Sequence, residues 1–274
     1  MDLNRVTEFY QPTSLAKLPE WQEGFAWLAG GTWLFSEPQP SVHALIDLDT
    51  LSWPALQVLP EGLEIASTCK IAELEAFRGP SEWRATFLIP HCCRALLASF
   101  KVWNTASVGG NICLSLPAGA MISMTAALEG VAIIWTLDRA SREVPIVDFV
   151  TGNHTNVLAP SELLRSILLP AAAMRKRFAF RRFSLTSMGR SSVFLIGTLC
   201  PIAGRLRITV TASIVRPIAL AFDDFPNSVE LAAAIDEFVT SDLYFDDPHG
   251  TSEHRRHLTY YYAEQIRAEL EASG

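Results

Sequence analysis

Charge is scarce in this chain. Only 19% of its 274 residues are Asp, Glu, Lys or Arg, against about 25% in ordinary soluble domains. Lys and Arg number 22 and Asp and Glu 29, for a net charge of −7. No basic excess is available to neutralise a phosphate backbone, which excludes a general nucleic-acid binder. Cysteine is sparse and poorly spaced for metal. Cys69, Cys92, Cys93, Cys113 and Cys200 contain no Cys-x-x-Cys. Zinc and iron–sulfur centres need short, repeated thiolate spacings, so neither is encoded within this chain. Buried free thiols in a reducing compartment are expected instead. Long apolar runs are also missing. The best, Met121 to Leu137, is broken by Glu129 and Gly130 and falls short of the roughly 20 residues of a membrane span. Met1-Asp2-Leu3-Asn4-Arg5 has no apolar stretch behind it and is not a secretory signal. A soluble, cytoplasmic protein is expected.

What the chain does have is apolar mass, 49% of its residues. With so little charge, apolar surface should remain for partner chains. The length fits one large domain or two to three small ones. Phe25 to Ala29, Ala44 to Leu48, Leu63 to Ser67, Val131 to Leu137 and Leu163 to Leu169 read as strands. Lys70 to Phe77 and His91 to Phe100, the latter behind Pro90, read as helices. After Pro170 the pattern shifts. Phe178–Ser184, Val193–Thr198 and Arg205–Ser213 predict a three-stranded antiparallel sheet. Val229–Thr240 and Ser252–Leu270 predict two closing helices. The fold class is α+β, divided into residues 1–173, with a subdomain boundary near 55–60, and residues 174–274.

Two glycine pairs carry the chemistry. Ala29-Gly30-Gly31-Thr32-Trp33-Leu34 follows a strand, and Ser107-Val108-Gly109-Gly110-Asn111 lies further on. Glycine lets backbone approach a ligand and turn N–H groups onto an anion, and Thr32, Ser107 and Asn111 add neutral donors. That donor set suits a diphosphate. Alone, either pair is a weak signal and reads first as a tight turn. Neither matches a P-loop or a Rossmann fingerprint.

In order and with these neighbours, the two loops resemble the A-G-G-T-[DN]-L and T-I-G-G-N loops of the flavin-binding medium subunit of molybdenum hydroxylases, the xanthine dehydrogenase and carbon monoxide dehydrogenase group. Leu45-Ile46-Asp47-Leu48, Ser115-Leu116-Pro117-Ala118-Gly119, Glu162 to Pro170 and His254-Arg255-Arg256-His257-Leu258 extend the resemblance over nearly the whole chain. The resemblance implies a two-lobed flavin-binding domain of the vanillyl-alcohol-oxidase/p-cresol-methylhydroxylase type followed by the small C-terminal sheet and helices. It implies FAD, with Ala29, Gly30, Gly31, Thr32 and Trp33 cradling one side of its diphosphate. Ser107, Val108, Gly109, Gly110 and Asn111 would hold the other side. Leu97 would be an apolar flavin contact, and Leu164 would pack near the adenine or the ring system. Arg182, or Arg181 if the alignment slips by one, would stand where the family has a lysine near the flavin. Molybdopterin and 2Fe–2S clusters are implied on partner chains, in a heterotrimer extending to a dimer of heterotrimers. Electrons would pass through FAD to NAD or another acceptor. Two departures stand out: Trp33 and Ala120 replace the family's usual polar residues. They keep a scaffold subunit with a degenerate flavin site open, beside a stand-alone flavoprotein oxidase.

The remaining polar features have plainer readings. His43, His91, His154, His249, His254 and His257 show no metal spacing. Arg255 and Arg256 suggest a solvated helix face. Asp223-Asp224 and Asp246-Asp247 stand beside prolines and read as turn or cap residues. Arg175-Lys176-Arg177 reads as a connector.

Overall fold

A computed structural model describes residues 3–137 and 140–272. Met1 and Asp2, which belong to the segment read for a targeting signal, lie outside them. The chain opens with a three-stranded parallel sheet: β1 (Glu8–Tyr10), β2 (Phe25–Leu28) and β3 (Ala44–Asp47), with β3 in the centre. Phe25, Ala44 and Ile46 form its small core, covered by Tyr10, Leu18, Trp21 and Trp27. A hairpin of β4 (Leu56–Leu59) and β5 (Gly62–Ala66) starts the next sheet.

Five helices follow before that sheet resumes: α1 (Ile71–Glu75), α2 (Leu88–Ala95), α3 (Phe100–Trp103), α4 (Val108–Leu114) and α5 (Ala120–Ala127). The sheet then adds β6 (Val131–Trp135) and β7 (Ser141–Pro145). A short α6 (Ile146–Phe149) and a small ribbon, β8 (Val150–Gly152) and β9 (Thr155–Asn156), come before β10 (Leu163–Pro170). β10 inserts between β5 and β6, antiparallel to both, giving the order β4-β5-β10-β6-β7. Its central place explains its near-continuous apolar sequence, since both faces are covered.

α7 (Ala171–Met174) leads to an antiparallel meander of β11 (Arg177–Phe183), β12 (Val193–Leu199), β13 (Leu206–Thr211) and β14 (Ile218–Phe222). The expected three-stranded sheet therefore has a fourth strand, β14, paired to β13. Its Ile-Ala-Leu-Ala-Phe sequence spends two positions on alanine, which has weak strand preference. α8 (Ser228–Phe238) and α9 (Ser252–Ala272) close the chain. The Asn227 side chain accepts from Val229 and Glu230 N–H, and Glu230 answers the Asn227 N–H, a reciprocal cap.

α5 fixes how the parts meet. All eight of its residues are buried. One core cluster runs from Leu63 and Ile65 through Met121, Ile122 and Met124 to Phe194, Ile196 and Ala212. Ser123 and Thr211 hydroxyls meet at 2.6 Å inside it. Residue 173, the expected division, falls in α7 between the two larger sheets, while this cluster spans both.

Candidate functional site

The loop after β2 bends back on itself at Gly31, whose φ is +68°, a conformation that favours glycine. A Cβ on Gly30 would sit 2.0 Å from the carbonyl oxygen of Thr105. Gly30 is thus required where the two glycine loops press together, and its missing side chain does not open onto ligand space. The backbone N–H groups of Gly30 through Leu34 have no acceptor among the described residues. Their residues border a cleft of about 810 Å³. This loop is a run of unspent donors on an open wall, a ready concavity for an anion.

The second loop differs. Ser107 caps α4 and its Oγ accepts from Gly110 N–H at 3.0 Å. The Val108 N–H donates to Cys69 O, the Gly109 N–H to Ser67 O, and the Asn111 N–H to Ser107 O. The amides of Val108 through Asn111 are all used inside the protein, so they do not face an anion as those of the first loop do. What this loop offers is side chains. The Ser107 hydroxyl can still donate its own proton. Asn111 accepts from Met121 N–H through Oδ1 at 3.0 Å, leaving its NH₂ group for a ligand. Gly109 is tight for a different reason: a Cβ would lie 2.4 Å from that of Ser67. Ser67 borders the cleft, and its buried Oγ has no hydrogen-bond partner. At Gly110 an added Cβ would meet only Ser107 Oγ, at 2.9 Å. Gly110 is exposed on the cleft wall, so here the absent side chain does leave room.

Apolar groups complete the walls: Trp27, Leu48, Leu96, Leu97, Val102, Leu163, Leu164 and Met188. Leu97 holds φ at +38°, a strained value for a leucine. Trp33 leans on His154 with ring centroids 5.9 Å apart, joining the first loop to the β8–β9 turn. Of the expected site residues, Ala29, Gly30, Gly31, Thr32, Trp33, Leu97, Ser107, Gly109, Gly110, Asn111 and Leu164 share this cleft, and Val108 and Arg182 do not line it. Val108 is buried in the core. Arg182 donates to Ser191 Oγ at 2.6 Å and to Gly189 O at 2.9 Å. Arg181, on the other face of β11, reaches Gln265 and Glu269 on α9. Residues missed at the sequence level are Ser67, Gln39, Met188 and Arg190. They stand in three separate loops, and no spacing rule connects them to the glycine pairs.

Ala120 is 1% exposed inside the main core and faces no part of the cleft. The expected solvated face of the last helix is half right. Arg256 pairs with Asp236 at the surface, whereas Arg255 is 1% exposed. Arg255 donates to the carbonyls of Gly250, Ser192 and Ala212 and pairs with Asp247. Asp246 accepts from Ser252 N–H, as a cap residue should. Asp223 pairs with Arg205, and Lys176 with Glu129. All five thiols are free; Cys69, Cys92 and Cys93 are buried residues, whereas Cys113 and Cys200 are partly exposed, Cys113 with its thiol turned inward. Burial pushes the thiols of Cys69, Cys93 and Cys113 up to about 12. Cys200 goes the other way, lowered by the N–H groups of Ala203 and Ile202. Among the described residues no group of three His, Cys, Asp or Glu could hold a metal. Among the same residues no helix is long and apolar enough to cross a membrane.

A deep apolar cleft with one wall of free N–H donors and an open glycine fits a dinucleotide with a diphosphate at its middle. Comparison with known proteins agrees. Residues 5–172 match the family model of the FAD binding domain in molybdopterin dehydrogenase. A xanthine dehydrogenase of Oryza sativa subsp. japonica is 30% identical over 121 residues, 42% of this chain and 9% of that protein. Xanthine dehydrogenase 2 of Arabidopsis thaliana is 26% identical over 183 residues, 61% of this chain and 13% of that protein. The chain thus matches only a small part of either plant protein. Carbon monoxide dehydrogenase from Hydrogenophaga pseudoflava shares the fold, with a TM-score of 0.78 at 18% identity over 97% of both chains. Quinoline 2-oxidoreductase from Pseudomonas putida 86 does so with a TM-score of 0.75 at 19% identity over 98% of both chains. With the match covering most of its length, and most of the cleft's lining, both glycine loops included, in the matched part, the chain belongs to the FAD-binding domain family of the molybdopterin dehydrogenases.

Proposed function

We propose that this chain is the FAD-binding electron-transfer subunit of a heteromeric molybdenum hydroxylase, working in the cytoplasm. The family match over residues 5–172, with the free N–H wall of Gly30 to Leu34 inside it, carries the reading. When bound, FAD supplies the redox chemistry, the relay between 2Fe–2S clusters on a partner chain and NAD or another acceptor. The protein's own part is positional. The Gly30–Leu34 amides, with Thr32, Ser107 and the Asn111 amide, hold the diphosphate from two sides. Leu96, Leu97, Leu163 and Leu164 keep water from the ring systems. No side-chain acid or base is needed for passing electrons. The molybdopterin chain would hold the substrate site, and one copy each of small, medium and large chains would form the assembly, doubled by a two-fold axis.

The test has two steps. The purified chain should bind FAD noncovalently and show an oxidised-flavin spectrum. Mixed anaerobically with the hydroxylase substrate, its flavin should bleach only when the molybdenum and iron–sulfur chains are present. Bleaching by substrate in the chain alone would support a stand-alone oxidase. No flavin in the chain or its complex would leave a scaffold subunit, the reading that Trp33 on the cleft wall keeps open.

A further inference from the structure

Arg190 is the one formally charged side chain among the described residues that line the cleft. It also lines a chamber of about 70 Å³ beside the cleft, with Asn153, His154 and Ser191. The acid of that chamber, Asp247, is already engaged by Arg255. Arg190 itself has no hydrogen bond or ion pair among the described residues. An arginine is thus turned to an otherwise uncharged cleft and left without a counter-charge.

Its placement is built. Arg182 grips the residue on each side of it, donating Nε–H to Ser191 Oγ at 2.6 Å and Nη2–H to Gly189 O at 2.9 Å. These bonds fix the β11–β12 loop at the cleft mouth, and Arg190 stands between the two anchors. The formal charge of oxidised FAD is on its diphosphate. A planar guanidinium matches phosphate oxygens well.

We propose that Arg190 is a cationic contact for the diphosphate of the dinucleotide in this cleft, and that Arg182 is the positioning residue that aims it. This rests on the FAD-binding reading above. It gives the neutral cradle a single charged clamp from the C-terminal sheet.

The full-length chain, freed of flavin, is titrated with FAD by fluorescence quenching at about 50 mM and about 500 mM salt. Arg190→Gln should weaken FAD about fivefold at the lower salt, and the gap should shrink at the higher salt. Arg190→Lys should recover part of the loss, because it returns the charge without the guanidinium fork. Arg182→Met should reproduce the loss of Arg190→Gln, and the double variant should be no worse than either. Wild-type affinity in Arg190→Gln, or a loss equal at both salts, overturns the contact. Full affinity in Arg182→Met, or additive losses in the double variant, overturns the positioning role. A wild-type chain that takes no FAD is a distinct result and overturns the function together with this inference.

Discussion

Gly30 and Gly110 look alike in the sequence and are opposite in the structure. At Gly30 an added Cβ collides with the Thr105 carbonyl at 2.0 Å, so Gly30→Ala forces backbone apart. It should cost about 1–3 kcal/mol in denaturant unfolding, the range for overpacking, with flavin lost as a consequence. At Gly110 an added Cβ meets only the Ser107 hydroxyl, a side-chain end that must turn aside. Gly110→Leu should change stability by no more than about 1 kcal/mol, the gain in helix propensity offsetting a weakened cap, yet abolish FAD binding because the new side chain fills the cleft. Unfolding curves and flavin titrations on the same two variants separate these outcomes. If Gly110→Leu retained FAD, the ligand would lie away from this wall.

At the scale of elements, β7 is tied to the start of β10 through one ion pair. Arg142 donates from Nε and Nη2 to the two carboxylate oxygens of Glu162, at 2.8 and 2.6 Å, and Ala159 N–H adds a third bond at 2.8 Å. The Arg142 hydrogen bonds hold the Glu162 carboxyl below the usual carboxylate range. Its stabilising effect is therefore full above the ordinary carboxyl pKa and fades as pH falls through the lowered one. Glu162→Gln should cost about 1–2 kcal/mol near neutral pH, discounted because Arg142 is part exposed. The gap to wild type should close below about pH 4. Unfolding curves across that pH range check it, and a pH-independent gap would assign the effect to the Ala159 turn. Also at this scale, strands with continuous or alternating apolar residues were legible: β2, β3, β5, β6, β10 and the first three strands of the meander fall where periodicity puts them. What escaped was set by tertiary context. β4 and β7 are edge strands with mixed sequence, and α4 and α5 carry glycine or small residues that signal turns as readily as helices. Likewise the glycine loops mark the cleft, but Ser67, Met188 and Arg190 reach it only through folding.

On the scale of the molecule, Arg255 is a buried tie between α9 and the C-terminal sheet. One buried guanidinium collects three carbonyls from the start of β12, the end of β13 and the 246–250 turn, and it neutralises Asp247. Arg255→Met should cost about 3–5 kcal/mol, because Asp247 would be left without its counter-charge. Thermal unfolding of the variant would show it, and a shift within error of wild type would mean that water replaces the bonds. Exposed apolar side chains such as Phe87 and Phe100 fit the expectation, from low charge, of surface left for partners.

α5 carries one more consequence. The family match ends at residue 172, which invites cutting the chain there to obtain a minimal flavin module. The cut would strip β12 and β13 from a helix whose every residue is buried, and would leave Ser123 without the Thr211 hydroxyl. The amputated piece would present a greasy, water-exposed scar and go insoluble. On this packing, what sequence comparison delimits as a unit of inheritance should not fold by itself, and residues 5–172 expressed alone should be found in the pellet where the intact chain stays in solution.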